Sequence, residues 1–169
     1  SAITTGLTLS AGTYICTITD VNSCPFAASS VLIGEPSQMI QTNNVSDATC
    51  HGADDGQAQV FVNGGTQLTQ ILPSDPLYTY LWSPGGQTSQ LATALAGDVL
   101  GIPYSCTVTD ANGCFEVFVM DNLLFEPSLI TIDFGILGID HFDVSCNGGA
   151  DGLATASASG GSGGPYTYE

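Results

Sequence analysis

Apolar and polar residues alternate with a period of two in several short runs of this chain. QAQVFVNGG from Gln57, YTYLWSPGG from Tyr78 and YSCTVTD from Tyr104 are rich in β-branched and aromatic residues. Each run is bounded by Gly, Pro, Asp or Asn, the punctuation of a strand. On that period Tyr78, Tyr80 and Trp82 share one strand face, and Tyr104, Cys106 and Val108 share another. Both sets are expected to line one core. Asp110-Ala111-Asn112-Gly113 predicts a tight turn, because Asp caps turn backbone while Asn and Gly tolerate positive φ. No segment combines a helical period with caps. The expectation is an all-β chain, with about seven short strands in about ninety residues forming an immunoglobulin-like β-sandwich. A domain that small is expected to need help from stacked neighbours or disulfides.

The pattern is written more than once. YICTITDVNSC, Tyr14 to Cys24, returns as YSCTVTDANGC, Tyr104 to Cys114. SAITTGL at Ser1 matches SQLATAL at Ser89, and Glu35-Pro36 matches Glu126-Pro127. DATCHGADDGQAQV from Asp47 matches DVSCNGGADGLATA from Asp143, and PLYTYL from Pro76 matches PYTYE from Pro165. The offset drifts along the chain, as in tandem domains whose insertions collect in loops. The segment Gln67 to Pro76 is one such insertion. The predicted organisation is the C-terminal part of one repeat in 1–36, a complete repeat in 37–127, and the N-terminal part of a third in 128–169. The two partial repeats together lack only the equivalents of Trp82 to Thr88. The segment therefore reads as a window on a longer array or filament.

Charge narrows the function. Sixteen Asp and Glu face no Lys or Arg, giving a formal charge of −16 at pH 7. No cation is available to meet a phosphate, which argues against nucleic-acid binding and against anionic membrane surfaces; no intramolecular salt bridge is expected either. A hydrophobic share of 43% nonetheless marks a folded chain rather than a disordered polyanion. No run is long enough to span a bilayer, so no direct membrane insertion is expected. Six cysteines in such a chain suggest an oxidising, extracytoplasmic setting, and trypsin-type cleavage sites are absent.

The motifs C-H-G-A-D-D-G from Cys50 and C-N-G-G-A-D-G from Cys146, a following Gly-Gly, P-Y-T-Y, the Tyr-x-x-Thr-x-Thr-Asp-Ala-Asn-Gly-Cys ending and Glu-Pro together resemble the SprB-type repeat. That repeat occurs in very large surface adhesins of Bacteroidota. The Tyr-x-x-Thr-x-Thr-Asp ending also resembles PKD-like sandwich domains. The resemblance covers nearly the whole chain. It departs at the Gln67 to Pro76 insertion and at Gly97 to Tyr104, where a shorter loop is the norm. It implies an extracellular location on the bacterial cell surface, and a stalk role in adhesion or gliding motility. The partners it points to are neighbouring repeats of the same chain or filament, and surface glycans or other cells. Two other readings stay open: a filament subunit whose split domains are completed by neighbours, and a carbohydrate-binding module of a secreted enzyme.

Candidate chemistry is sparse. Cys16 with Cys24, and Cys106 with Cys114, flank the same turn, so one pairing closes each hairpin and leaves Cys50 and Cys146 single. A rival joins Cys50 to Cys114 and leaves Cys106 as a core thiol. In an ordinary sandwich those two loops lie at opposite ends, which favours bonds between neighbouring domains. Asp20, Asn22, Asp54, Asp55, Asp110, Asn112 and Asp151 place oxygens in turns, and calcium takes about six to eight oxygens. None of these loops has a complete calcium-loop spacing, so Asp side chains capping their own turns are the simpler expectation. His51 and His141 fit no zinc or triad spacing. No catalytic residue or resident cofactor is expected, and the chain is not read as an enzyme. Tyr78, Tyr80 and Trp82 would suit a sugar platform, although alternation into a core accounts for them more simply.

Overall fold

The computed structural model describes residues 8–27, 30–68, 77–134 and 141–169. The chain divides into two compact units, Ser1–Gln38 and Met39–Glu169. Among the described residues all regular structure is β-strand.

The first unit contains β1 (Gly12–Tyr14), β2 (Thr17–Thr19), β3 (Pro25–Ala27) and β4 (Val31–Ile33). β1 pairs with β4, and β2 pairs with β3. The β2–β3 hairpin is closed by Asp20, whose Oδ1 accepts the N–H of Asn22 at 2.9 Å and of Cys24 at 2.8 Å. Ile15, Ile18, Phe26 and Leu32 are exposed.

The second unit begins with β5 (Ile40–Ser46), β6 (Gly56–Asn63), β7 (Thr79–Ser83), β8 (Leu91–Leu95), β9 (Ser105–Thr109) and β10 (Phe115–Val119). They form two antiparallel sheets, β5-β6-β8 and β10-β9-β7. In immunoglobulin lettering these are A-B-E facing C-F-G. Among the described residues no strand stands in the D position, giving six strands where about seven were expected. The cause is a tight connection from β7 to β8: Gly86 N–H donates to Trp82 O, and Trp82 N–H to Gln87 O, both at 2.9 Å.

Alternation decides what goes inside. Ala58 and Val60 of β6, Tyr80 and Trp82 of β7, and Cys106 and Val108 of β9 all point between the sheets with Tyr78, Tyr104 and Leu124. All six residues expected to share a core do so. Buried polar ends are paired, as interior packing requires. Trp82 Nε1 donates to Ser89 O at 2.8 Å, and the Tyr104 hydroxyl donates to Ala96 O at 3.0 Å. Tyr104 thus stands two residues before the core cysteine of strand F and ties back to upstream backbone, the tyrosine corner of immunoglobulin-like sandwiches. In the first unit Tyr14 makes the same kind of bond to Ser10 O at 2.8 Å. The departure at Gly97 to Tyr104 is a loop bridged to the strand-end segment, where Ile102 and Leu124 exchange backbone bonds of 2.8 and 3.0 Å. The insertion Gln67 to Pro76 is pinched at its base by Leu68 N–H donating to Leu77 O at 2.7 Å; residues 69–76 lie outside the described residues.

After the sandwich come β11 (Ser128–Asp133), β12 (His141–Phe142), β13 (Leu153–Ala154) and β14 (Ser157–Gly161). β11 pairs with β14 and β12 with β13, echoing the β5–β6 ladder. Phe142↔Leu153 and His141↔Ala154 repeat the register Ser46↔Gln57 and Val45↔Ala58. Leu129, Ile132, Phe142, Leu153 and Tyr168 stay exposed here.

Candidate functional site

Among the acidic turns, the carboxylates of Asp20, Asp55, Asp110 and Asp151 are each engaged by backbone donors. Asp110 is the most enclosed. Its Oδ2 accepts Thr66 N–H at 3.0 Å, and its Oδ1 accepts the N–H of Asn112 and of Cys114, both at 2.9 Å. Those donors, Thr66 first, hold its carboxyl below the ordinary range. Asp55 accepts the Thr49 hydroxyl at 2.5 Å and the Thr49 N–H at 2.9 Å. Asp151 accepts Ser145 N–H at 3.0 Å in the equivalent turn. Both carboxyls are lowered, chiefly by the Thr49 and Ser145 hydroxyls. Asp20 and Asn22, Asp54 and Asp55, Asp110 and Asn112, and Asp151 occupy four separate turns. Among the described residues no three His, Cys, Asp or Glu side chains converge as metal ligands. What the arrangement does is cap turns.

All six cysteines are free thiols. The hairpin pairing considered from the sequence is not available in this register. Cys106 lies opposite Phe118, while Cys114 lies beside Asp110, whose N–H bonds its carbonyl. Four ladder steps separate them, roughly 13 Å, against the Cα separation below about 7 Å that a disulfide needs. The β2–β3 hairpin has the same register, so Cys16 and Cys24 are parted in the same way. Cys106 sits in the core opposite Trp82, with no exposed surface, and burial pushes its thiol up to about 11. Cys50 lies in the turn before β6 and Cys114 beside Thr66 beyond its far end. The length of β6, roughly 26 Å, keeps them apart within one repeat.

The aromatic platform is likewise resolved. Tyr78, Tyr80 and Trp82 are buried, and the Tyr78 hydroxyl donates to Gly64 O at 2.7 Å. No ring face among them is open to a sugar.

Sequence reasoning missed one cluster. The Glu126 carboxylate lies 2.8 Å from His51 Nδ1 through Oε1, and accepts Gly52 N–H at 2.8 Å through Oε2. The charge balance had led to no expectation of a salt bridge, yet this contact becomes one when the imidazole is protonated. His51 faces Glu126 rather than Asp54 or Asp55. Phe125 adds two bonds to the same end of the sandwich, donating to Asp47 Oδ1 and accepting from Ala48 N–H, both at 2.9 Å. The recurrence of Glu-Pro was the available signal. It marked a joint but not which residues clamp it.

The turns and strand ends therefore recur as structures as well as letters. Gly64 and Gly65 have φ of 95° and 63°, and Gly160 and Gly161 have 86° and 62°. Tyr166 donates to Gly160 O at 2.6 Å as Tyr78 does to Gly64 O. The family model of the SprB repeat matches residues 42–87 and 142–169. These two segments are SprB-type repeats. The matches cover β5 to the start of the β7–β8 connection in the complete sandwich, and the equivalent strands after it. No curated protein and no solved structure matches the chain. The SprB repeat is a structural repeat of cell-surface proteins of the adhesin type, not an enzyme family.

Proposed function

We propose that this chain is part of the extracellular stalk of a large bacterial surface adhesin, acting in attachment or gliding. Three repeats follow one another in it, at 1–36, 37–127 and 128–169. The observation that carries this reading is the tandem recurrence of one built unit. The Asp55–Thr49 and Asp151–Ser145 turns, and the Tyr78–Gly64 and Tyr166–Gly160 bonds, are the same devices written twice. Each sandwich is a compact spacer, and clamped Glu-Pro joints set the reach from one to the next. A charge of −16 keeps such a stalk dispersed through self-repulsion.

A filament of separate subunits is the second reading. It is favoured by the exposed Leu129, Ile130 and Ile132 of β11, an apolar stretch that the remainder of a repeat would cover. Negative-stain images of the native polypeptide, with its mass on a reducing denaturing gel, decide between the two. Beaded threads of denatured mass far above 17.3 kDa are expected for the stalk. Threads falling to single units of that mass would establish the filament, and compact particles would overturn both. Immunogold labelling of intact cells tests the surface location, and adhesion assays on cells lacking the protein test the role.

A further inference from the structure

We propose that Cys50 is one half of a disulfide that staples its repeat to the following one, the other half being the cysteine at the Cys114 position of that next repeat. The inference rests on the tandem-repeat reading and adds a covalent link to it.

Cys50 is exposed in the turn beside the Glu126 joint, at the end of the sandwich from which the chain passes into Ser128. Its neighbour Thr49 touches the next segment directly: the Ser162 hydroxyl donates to Thr49 O at 3.1 Å. Cys50, His51, Leu129, Ile130, Gly161 and Ser162 line one shallow apolar cleft there. Ser162 follows Gly160-Gly161 as Thr66 follows Gly64-Gly65, with the same pair of positive φ values and the same tyrosine bond.

In the complete repeat, Thr66 is the anchor of the cysteine turn. Its N–H donates to Asp110 Oδ2 at 3.0 Å, and its carbonyl accepts Ala111 N–H at 2.8 Å. Its hydroxyl accepts from Asn112 Nδ2 at 3.0 Å, and Cys114 N–H closes the same turn on Asp110. A following repeat whose hairpin docks in this way brings its turn cysteine to Ser162, beside Cys50. The Ser162 hydroxyl can accept from the incoming Asn while still donating to Thr49 O, since it has one donor and two lone pairs.

The other two thiols of the complete repeat do not compete. Cys106 is sealed in the core, and the cysteine turn of the same repeat lies at the far end of β6. Closing the staple forms one S–S bond from two thiols, releasing two protons and two electrons. The electrons pass by thiol–disulfide exchange to a small-molecule disulfide, which is reduced to two thiols.

The test uses the full chain carrying Cys114→Ser, extended after Glu169 with a second, unaltered copy of residues 82–127, which completes the third repeat and supplies its one Asn-Gly-Cys turn. The product is oxidised with glutathione disulfide, alkylated, cut with a Glu- and Asp-specific protease and mapped by mass spectrometry. The expected result is a reducible link between the Cys50 peptide and the added Asn-Gly-Cys turn. Cys50→Ser should abolish it, whereas Cys146→Ser should leave it intact. Alkylated Cys50 in a product whose second tryptophan is buried would overturn the staple alone. A second tryptophan that stays solvent-exposed would overturn the tandem reading and the staple with it.

Discussion

Asp110 and Thr66 are joined across the sandwich by a carboxylate: Asp110 Oδ2 accepts the backbone N–H of Thr66 at 3.0 Å. Asp110 closes the hairpin of one sheet, and Thr66 stands three residues beyond the end of β6 in the other. One side chain therefore caps its own turn and ties the two sheets at their shared end. Main-chain donors that the ladders leave over find their acceptor here, which is the usual fate of such groups.

Replacing Asp110 with Asn puts an amide where Thr66 N–H or the turn needs an acceptor. A lower urea midpoint is expected at pH 7. The carboxyl is held below its unfolded value of about 3.9, so its contribution is complete above that pH and fades as pH falls through the folded value. The gap between wild type and Asp110→Asn should be constant from pH 6 to 7 and narrow below about pH 4. A gap that widens in acid would contradict the assignment. Comparing the two proteins cancels the loss of general self-repulsion on acidification.

Gly56 opens β6 against Leu124. A Cβ there would lie 2.7 Å from Leu124 Cδ1 and 2.9 Å from Leu95 O. Gly56→Ala should cost about 1–3 kcal/mol, as overpacking does. Denaturant unfolding followed by Trp82 emission measures it. Leu124→Ala in the Gly56→Ala background should recover part of the overpacking term, and strict additivity would mean that Leu124 is not the clash.

Tyr104→Phe removes the bond to Ala96 O and leaves the ring in place. A loss of about 1 kcal/mol is expected, with an unchanged far-ultraviolet spectrum. An unchanged stability would show that the corner bond is replaced by water.

Cys106 should resist thiol reagents in the native protein. Burial keeps the thiol protonated and out of contact, whereas Cys16, Cys24, Cys50, Cys114 and Cys146 are exposed. Under reducing pretreatment, five thiols should react promptly with a maleimide and the sixth only on unfolding. Prompt labelling of all six would contradict the packing of Cys106 against Trp82.

Much of this was legible along the chain. Alternation placed Tyr80, Trp82, Cys106 and Val108 inside, because a strand turns successive side chains to opposite faces whatever lies beyond it. The Asp-x-Asn-Gly and Asp-x-Asn-Ser turns were legible for a similar reason: the Asx bond spans only a few residues, so its partners are written next to it. Recurrence disclosed the repeat, since copied sequence rebuilds copied turns.

Tertiary structure alone decided which groups meet across distance. Nothing near Asp110 in the sequence names Thr66, and nothing near Glu126 names His51 and Gly52. Those contacts depend on how β6 runs from one end of the sandwich to the other and where the connections return. The cysteines show the division most clearly. Their spacing made a hairpin bond look available, but the Cys106↔Phe118 register sets Cys114 four steps away and turns Cys106 into the core. Composition and period determined a tandem, acidic, all-β chain. Register and strand order, which only pairing between distant segments sets, decided which of its side chains are capped, clamped or left open at the joint.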